Sequence, residues 1–215
     1  MQSQGELKIV GRPRSFDEEK ALDQAMRVFW EKGFEGASLS HLTKAMGIKP
    51  PSLYGAFGNK QELFRKALER YRARQVPFIY DALQEPTAYG VAERILRQSA
   101  IFLTRPGCPH GCLTIQTSLA ASDEGAVIHD ELITLRRDAQ KALRRRFARA
   151  KQEGDLPEHS DPDSLARFIT AVYQGMAIQR VNGASRKELL DLAQTSLRAW
   201  PVDQAAVVPH SSKAS

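Results

Sequence analysis

The sequence has very little cysteine, two residues in 215. That is too few for the disulfide framework of a small secreted domain. No apolar run approaches the roughly 20 residues of a bilayer-spanning helix, and the N-terminus lacks the apolar stretch of a secretory leader. These absences lead us to expect a soluble, cytoplasmic chain without a membrane partner. Val, Ile and Thr do not alternate between turn signals, so no strands are expected and the fold class reads as all-α. A glycine loop for phosphates and a carboxylate–His–nucleophile set are both missing, which argues against an enzyme. Acidic residues are not in excess: 31 Lys and Arg face 25 Asp and Glu, a net charge of +6. A basic balance admits nucleic acid or an acidic membrane as partner and does not choose between them.

The placement of charge is more selective. Residues 1–75 hold 14 basic against 9 acidic side chains, whereas residues 76–215 hold 17 against 16. Within 47–75 the count is seven to two. One compact cationic segment joined to a nearly neutral remainder suggests a DNA-binding module attached to a second unit.

Helical punctuation divides the chain accordingly. Residues 1–14 are polar, end in Gly11-Arg12-Pro13-Arg14, and read as a flexible basic arm. The segment 15–75 reads as a DNA-binding domain with a helix-turn-helix at 38–57, 76–200 as a helical second domain, and 201–215 as a disordered tail. Asp17, Glu18 and Glu19 favour a helix start. Leu22, Ala25, Met26, Phe29 and Trp30 follow at buried-face spacing, and Gly33 is expected to end that helix. Ser38 can cap a second helix carrying Leu39, Leu42, Ala45 and Met46, and Gly47 breaks it. Pro50 and Pro51 can open a third helix with Leu53 and Phe57 inward, since proline in a first turn forfeits no bond. A fourth helix should run over about 60–75. Further helices are expected at about 88–104, 112–121, 126–153, 162–182 and 185–199.

Two short helices around a glycine turn, with basic residues after them, form the helix-turn-helix pattern. The stretch from Phe29 to Leu63, FWEKGFEGASLSHLTKAMGIKPPSLYGAFGNKQEL, resembles the signature of TetR-family regulators. The resemblance rests on Phe29, Glu31-Lys32-Gly33-Phe34, Ser38-Leu39, Gly47-Ile48, Ser52-Leu53-Tyr54, Phe57 and Asn59-Lys60 with Leu63. It covers roughly residues 15–75 and continues more loosely through Glu153-Gly154-Asp155-Leu156 and from Asp161 to Met176. The resemblance implies double-stranded operator DNA as partner and a homodimer formed through the last two helices. It also implies repression relieved by a small-molecule effector of unknown identity bound in the C-terminal domain.

Individual residues suggest roles in DNA contact. Ser38 presents a hydroxyl and free amides at a helix start, suited to a phosphate. Lys60, by the family pattern, is the phosphate-contacting lysine, and Tyr54 matches the tyrosine that reaches the groove. Lys49 and Ser52 flank the first turn of the recognition helix. Members of the family often carry His before the matched Phe, whereas this chain has Ala56. The outer face of the helix, Pro50, Pro51, Tyr54 and Gly55, offers no Arg, Asn or Gln for bidentate base readout. Specificity is therefore expected to lean on thymine methyls, close approach at Gly55 and DNA shape. Arg12 and Arg14 become candidates for a flanking minor groove, against the alternative of an ordinary basic tail.

Both cysteines fall in Cys108-Pro109-His110-Gly111-Cys112. Three readings stand open there: structural packing, a thiol sensor at a helix start, or a soft-metal site such as Cu(I) or Zn(II) from Cys108, His110 and Cys112. No cofactor other than such an ion is expected. A thiol- or metal-dependent enzyme built on the same three residues is the rival from another class. Phe102, Leu113, Ile115, Tyr173 and Met176 are candidates for an effector pocket or for plain core. The basic run Arg136-Arg137, Lys141, Arg144-Arg145-Arg146, Arg149 and Lys151 shares its segment with Leu132, Leu135, Ala139, Leu143, Phe147 and Ala150, so most of those cations should face solvent.

Overall fold

A computed structural model describes residues 16–117 and 125–201. The readings made for the 1–14 arm, for 202–215 and for the end of the 112–121 helix lie outside the described residues. Within them every regular element is helical.

The N-terminal domain is a bundle closed by aromatic packing. Helix α1 (Glu18–Gly36) starts on Asp17, whose carboxylate accepts from the Lys20 amide, and buries Ala25, Phe29, Trp30 and Phe34. Gly33 does not end it. With φ 67° and ψ 179° it interrupts the helix, and a further turn runs on to Gly36. That backbone region is open almost only to glycine. The kink lays Gly33 against the backbone of Gln116 and Thr117. Helix α2 (Leu39–Met46) begins on Ser38 and closes on Gly47 at φ 67°, ψ 27°, a left-handed end that makes the turn tight. Helix α3 (Pro50–Phe57) follows, with only Leu53 and Phe57 fully inward. Ala45 is exposed rather than packed, because so short a helix buries one narrow stripe, here Leu42 and Met46.

Helix α4 (Lys60–Arg74) packs along α1, with Phe64 edge-on to Phe29 and Phe34 at centroid distances of 5.1 and 5.4 Å. Arg70, 8% exposed at its side chain, ties the pair together by reaching Glu19 at 2.6 Å and both carboxylate oxygens of Asp23.

The C-terminal domain comprises α5 (Phe78–Asp81) with a 3-10 turn at Ala82–Gln84, α6 (Ala88–Leu103), α7 (Leu113–Gln116), α8 (Ala126–Gln152), α9 (Pro162–Val181) and α10 (Arg186–Arg198). The single turns at 78–84 carry no periodicity, and this is why sequence patterning passes over them. Asp161 caps α9 with Pro162 in its first turn, and a Ser185–Glu188 capping box opens α10. Helix α6 packs between α9 and α10, while α8 packs on α9. Short α7 wedges against α1 and α4, so the second domain reaches the first through it.

Three cations of α8 depart from the solvated pattern: Arg136, Arg146, and half-buried Lys151, which donates to the Ser160 carbonyl at 2.8 Å. Arg146 is buried and donates to the carbonyls of Leu83, Glu85 and Pro86, closing the end of the 3-10 turn. Arg136 is half-buried and turned inward, whereas Arg137, Lys141, Arg144, Arg145 and Arg149 are exposed.

The two left-handed glycines should differ in tolerance. Gly33→Ala is expected to cost about 2 kcal/mol, because its backbone region excludes side chains. Gly47→Ala should cost about 1 kcal/mol, the ordinary left-handed penalty, since nothing lies within 4 Å of an added methyl group. Equilibrium urea unfolding of the two variants checks the order.

Candidate DNA-binding head and ligand cavity

The outer face of the head is made by the starts of α2, α3 and α4. Ser38 is exposed, and its hydroxyl accepts from the His41 amide at 3.1 Å while the His41 ring nitrogen reaches back to the Ser38 amide. Lys49 precedes α3 without a side-chain cap, and Pro50 and Pro51 stand exposed behind it. Tyr54 is 49% exposed, so its ring is not core. Gly55 is exposed and an added Cβ there would meet nothing, which leaves the backbone open to close approach. Ser52 is half-buried on the same turn. Lys60 begins α4 with its ammonium 4.4 Å from the Phe34 ring centroid. Ser38, Lys49, Pro50, Pro51 and Lys60 thus lie at the starts of α2, α3 and α4, with Tyr54 and Gly55 further along α3. Arg12 and Arg14 lie outside the described residues.

Among the described residues no three His, Cys, Asp or Glu side chains come together. His110 turns outward, its Nε2 2.8 Å from the Arg180 guanidinium. Cys112 turns inward and is buried, and both cysteines are free. The Cys112 Sγ accepts from the Tyr71 hydroxyl at 3.3 Å and the Tyr173 hydroxyl at 3.1 Å, with the Thr114 hydroxyl at 3.2 Å. Burial, and then the neighbouring Cys112, pushes both phenols well above their ordinary value, so they remain neutral donors to the sulfur.

Cys112 also belongs to the wall of a cavity of about 110 Å³, enough for several waters or a small organic molecule. The walls come from α4, the 76–83 turns, α6, α7, α8 and α9. Most lining groups are aliphatic, including Val76, Ile79, Leu83, Ile95, Leu143 and Ile169. The polar groups include Cys112, Thr114, Tyr71, Arg72, Tyr80, Arg136, Tyr173 and Gln174, and so come from several helices and the turn before α7. Of the five pocket candidates, Ile115 and Tyr173 line this space. Phe102, Leu113 and Met176 do not. Phe102 stacks on Trp30 at 5.6 Å, and Leu113 and Met176 are wholly enclosed in the core. Helical spacing marks such residues as inward-facing but cannot tell which inward side is hollow. Tyr71 is not among the pocket candidates, and Arg136 reads from sequence as one cation in a run.

Backbone bonds join this wall to the head. Trp30 Nε1 donates to the Gly111 carbonyl at 3.0 Å, in buried surroundings, and Arg27 donates to the Gly107 carbonyl at 2.7 Å. Arg136 donates to the Thr114 carbonyl at 2.8 Å.

Comparison with known proteins now decides the family. Residues 21–67 match the model of bacterial regulatory proteins of the tetR family, and residues 93–197 match a tetracyclin repressor-like C-terminal domain. The chain belongs to the TetR family. It is a helix-turn-helix, DNA-binding transcriptional regulator. The chain is 34% identical to the HTH-type transcriptional repressor ComR of Escherichia coli K12, over 90% of this chain and 93% of ComR. A cysteine variant of the TetR-family regulator CifR, complexed with a 26-base-pair operator, superposes with a TM-score of 0.85 at 39% identity. It covers 89% of this chain and all of that one. The reduced form of E. coli NemR shares the fold at a TM-score of 0.70 and 20% identity, covering 86% and 97%. Nothing in this family assignment calls for an enzyme. No helix among the described residues is long and apolar enough to cross a membrane.

The raised phenol values carry a pH signature. A folded value above the unfolded one, near 10, means that stabilisation by Tyr71 and Tyr173 is complete below about pH 10 and is lost as pH rises further. The Tyr71→Phe, Tyr173→Phe double variant should therefore lose Tm less steeply than the parent above about pH 10, measured by circular dichroism melts across that range.

Proposed function

We propose that this TetR-family chain is a homodimeric repressor, released from its operator when a small molecule occupies the cavity beside Cys112. The observation that carries this reading is the shared position of Gly111 and Cys112. One residue supplies the buried acceptor for Trp30 of the head helix, and the next forms cavity wall. A ligand that displaces the wall must act against contacts that hold the head. The repressor ComR and the operator-bound CifR support the DNA half of the reading.

In this reading Ser38 and Lys60 contact phosphates, while Lys49, Pro50, Pro51, Ser52, Tyr54 and Gly55 approach the major groove. Arg12 and Arg14 follow the backbone into a flanking minor groove. Dimerisation uses α9 and α10. Phe168, Ile178 and Val181 are large apolar side chains left exposed on α9, and a second copy would cover them. Binding of an operator fragment by fluorescence anisotropy tests the head. Tyr54→Ala and Lys60→Ala should each weaken binding about tenfold, and Lys60→Ala should also lower the salt slope by about one. If Lys60→Ala lowers only the melting temperature, its ammonium serves the Phe34 ring and not a phosphate.

A second reading is favoured at Cys112 over metal binding. Three hydroxyls surround its sulfur, whereas His110 faces Arg180 on the outside. We propose that this thiol is the reactive group toward small electrophiles. CifR, at 39% identity, is also known as a variant with its cysteines replaced, and this supports a role for cysteine. Methyl methanethiosulfonate is a suitable small probe, since the sulfur takes its thiomethyl group and methanesulfinate leaves. Treatment should abolish operator binding in the parent and in Cys108→Ser but not in Cys112→Ser. An equal loss in Cys112→Ser would remove the thiol from the mechanism.

A further inference from the structure

Among the described residues the cavity beside Cys112 carries cations and no anion. Arg72 and Arg136 line it, and none of the described Asp or Glu residues does. Arg72 is engaged: its guanidinium donates to the Tyr80 hydroxyl at 2.8 Å and lies 5.6 Å from that ring centroid. Arg136 stands differently. It is half-buried, and its hydrogen bond to the Thr114 carbonyl is the one it makes among the described residues. Its neighbours on α8 and α4 show the contrast, because Arg65 is paired with Glu131 at 2.7 Å and Arg146 is spread over three carbonyls.

A guanidinium carries five N–H donors in a planar fork. Most of those on Arg136 therefore have no acceptor among the described residues. Withdrawing such a charge from water without a counter-ion is unfavourable. Burial accordingly draws its pKa below the ordinary value, opposed by the nearby Cys112. Beyond the fork the cavity is aliphatic, walled by Ile79, Leu83, Ile95, Leu143 and Ile169.

We propose that the effector is a small amphipathic carboxylate, anchored by the Arg136 fork with its hydrocarbon part against the aliphatic wall. This rests on the reading of the cavity as the effector site. A carboxylate matches the fork with two parallel hydrogen bonds. It also brings a single negative charge, which the Arg136 guanidinium balances, whereas a phosphate monoester brings nearly two. The neutral Tyr173 hydroxyl on the same wall, which donates to Cys112, can turn its single proton to a carboxylate oxygen instead.

The test uses the full chain and matched probes. Butanoate, hexanoate and octanoate are compared with the amides and amines of the same lengths, by calorimetric binding and by thermal shift. The best carboxylate should bind at least about tenfold tighter than its amide, the worth of a charge-assisted pair. Arg136→Gln, which keeps a donor for the Thr114 carbonyl, should reduce that preference to about twofold or less, and Arg136→Lys should restore part of it. Arg72→Gln should leave the preference in place. Operator binding without ligand checks that each variant is folded. Should Arg136→Gln not fold, Arg136→Lys and the comparison of carboxylate with amide on the parent decide.

Equal binding of amide and carboxylate, absence of carboxylate binding, or an undiminished preference in Arg136→Gln overturns the proposal. The two levels separate cleanly. If amides bind and release the operator while carboxylates do not, the effector cavity stands and the anionic ligand falls. If no probe of any charge binds, the cavity reading falls with it.

Discussion

The hydrogen bond from Trp30 to the Gly111 carbonyl is the contact on which the two halves of the molecule depend. The indole is buried between Tyr71, edge-on at 4.9 Å, and Phe102, stacked at 5.6 Å. Its N–H would be left unpaired in that setting without an acceptor, at a cost of about 1–3 kcal/mol. Among the described residues the acceptor comes from the loop before α7. Gly33 presses its backbone on Thr117 at the far end of the same segment, and Arg27 holds Gly107 at the near end. Helix α1 of the head is therefore fastened to the 107–117 segment at three points, each using a backbone group.

That segment has two faces with different chemistry. Outward, the His110 ring meets Arg180, and the His110 carbonyl accepts from Gln116 at 2.5 Å. Inward, the Cys112 sulfur meets three hydroxyls and open cavity. A five-residue sequence with two thiols and an imidazole looks like a ligand set, but the turn separates the imidazole from the inward thiol. Positive φ at Gly107 and Gly111 accompanies that reversal of direction.

Much of the fold was legible because its signals are local. Caps at Asp17, Ser38, Asp161 and Ser185, the proline starts of α3 and α9, and the left-handed Gly47 each act within a turn or two of chain. Gly33 was read as a stop because a glycine after an apolar stripe usually ends a helix. Its actual backbone state answers to Thr117, more than 80 residues away. The turns at 78–84 had no periodic signal, and Arg146, read as one of several solvent cations, is buried because distant carbonyls lie within its reach.

By itself the sequence determined the all-helical architecture, the helix-turn-helix with its cationic surroundings, and the family. Hydrophobic period, capping chemistry and a contiguous motif are all properties of neighbouring residues. Tertiary structure alone decided which inward residues border empty space. Ile115 and Tyr173 line the cavity, while Phe102, Leu113 and Met176 fill the core. It also set Cys112 among hydroxyls brought by α4, α7 and α9, and turned Arg136 to the hollow with no anion beside it among the described residues. A cavity is the space left over where several helices meet, and no stretch of chain short enough to read as a pattern contains it.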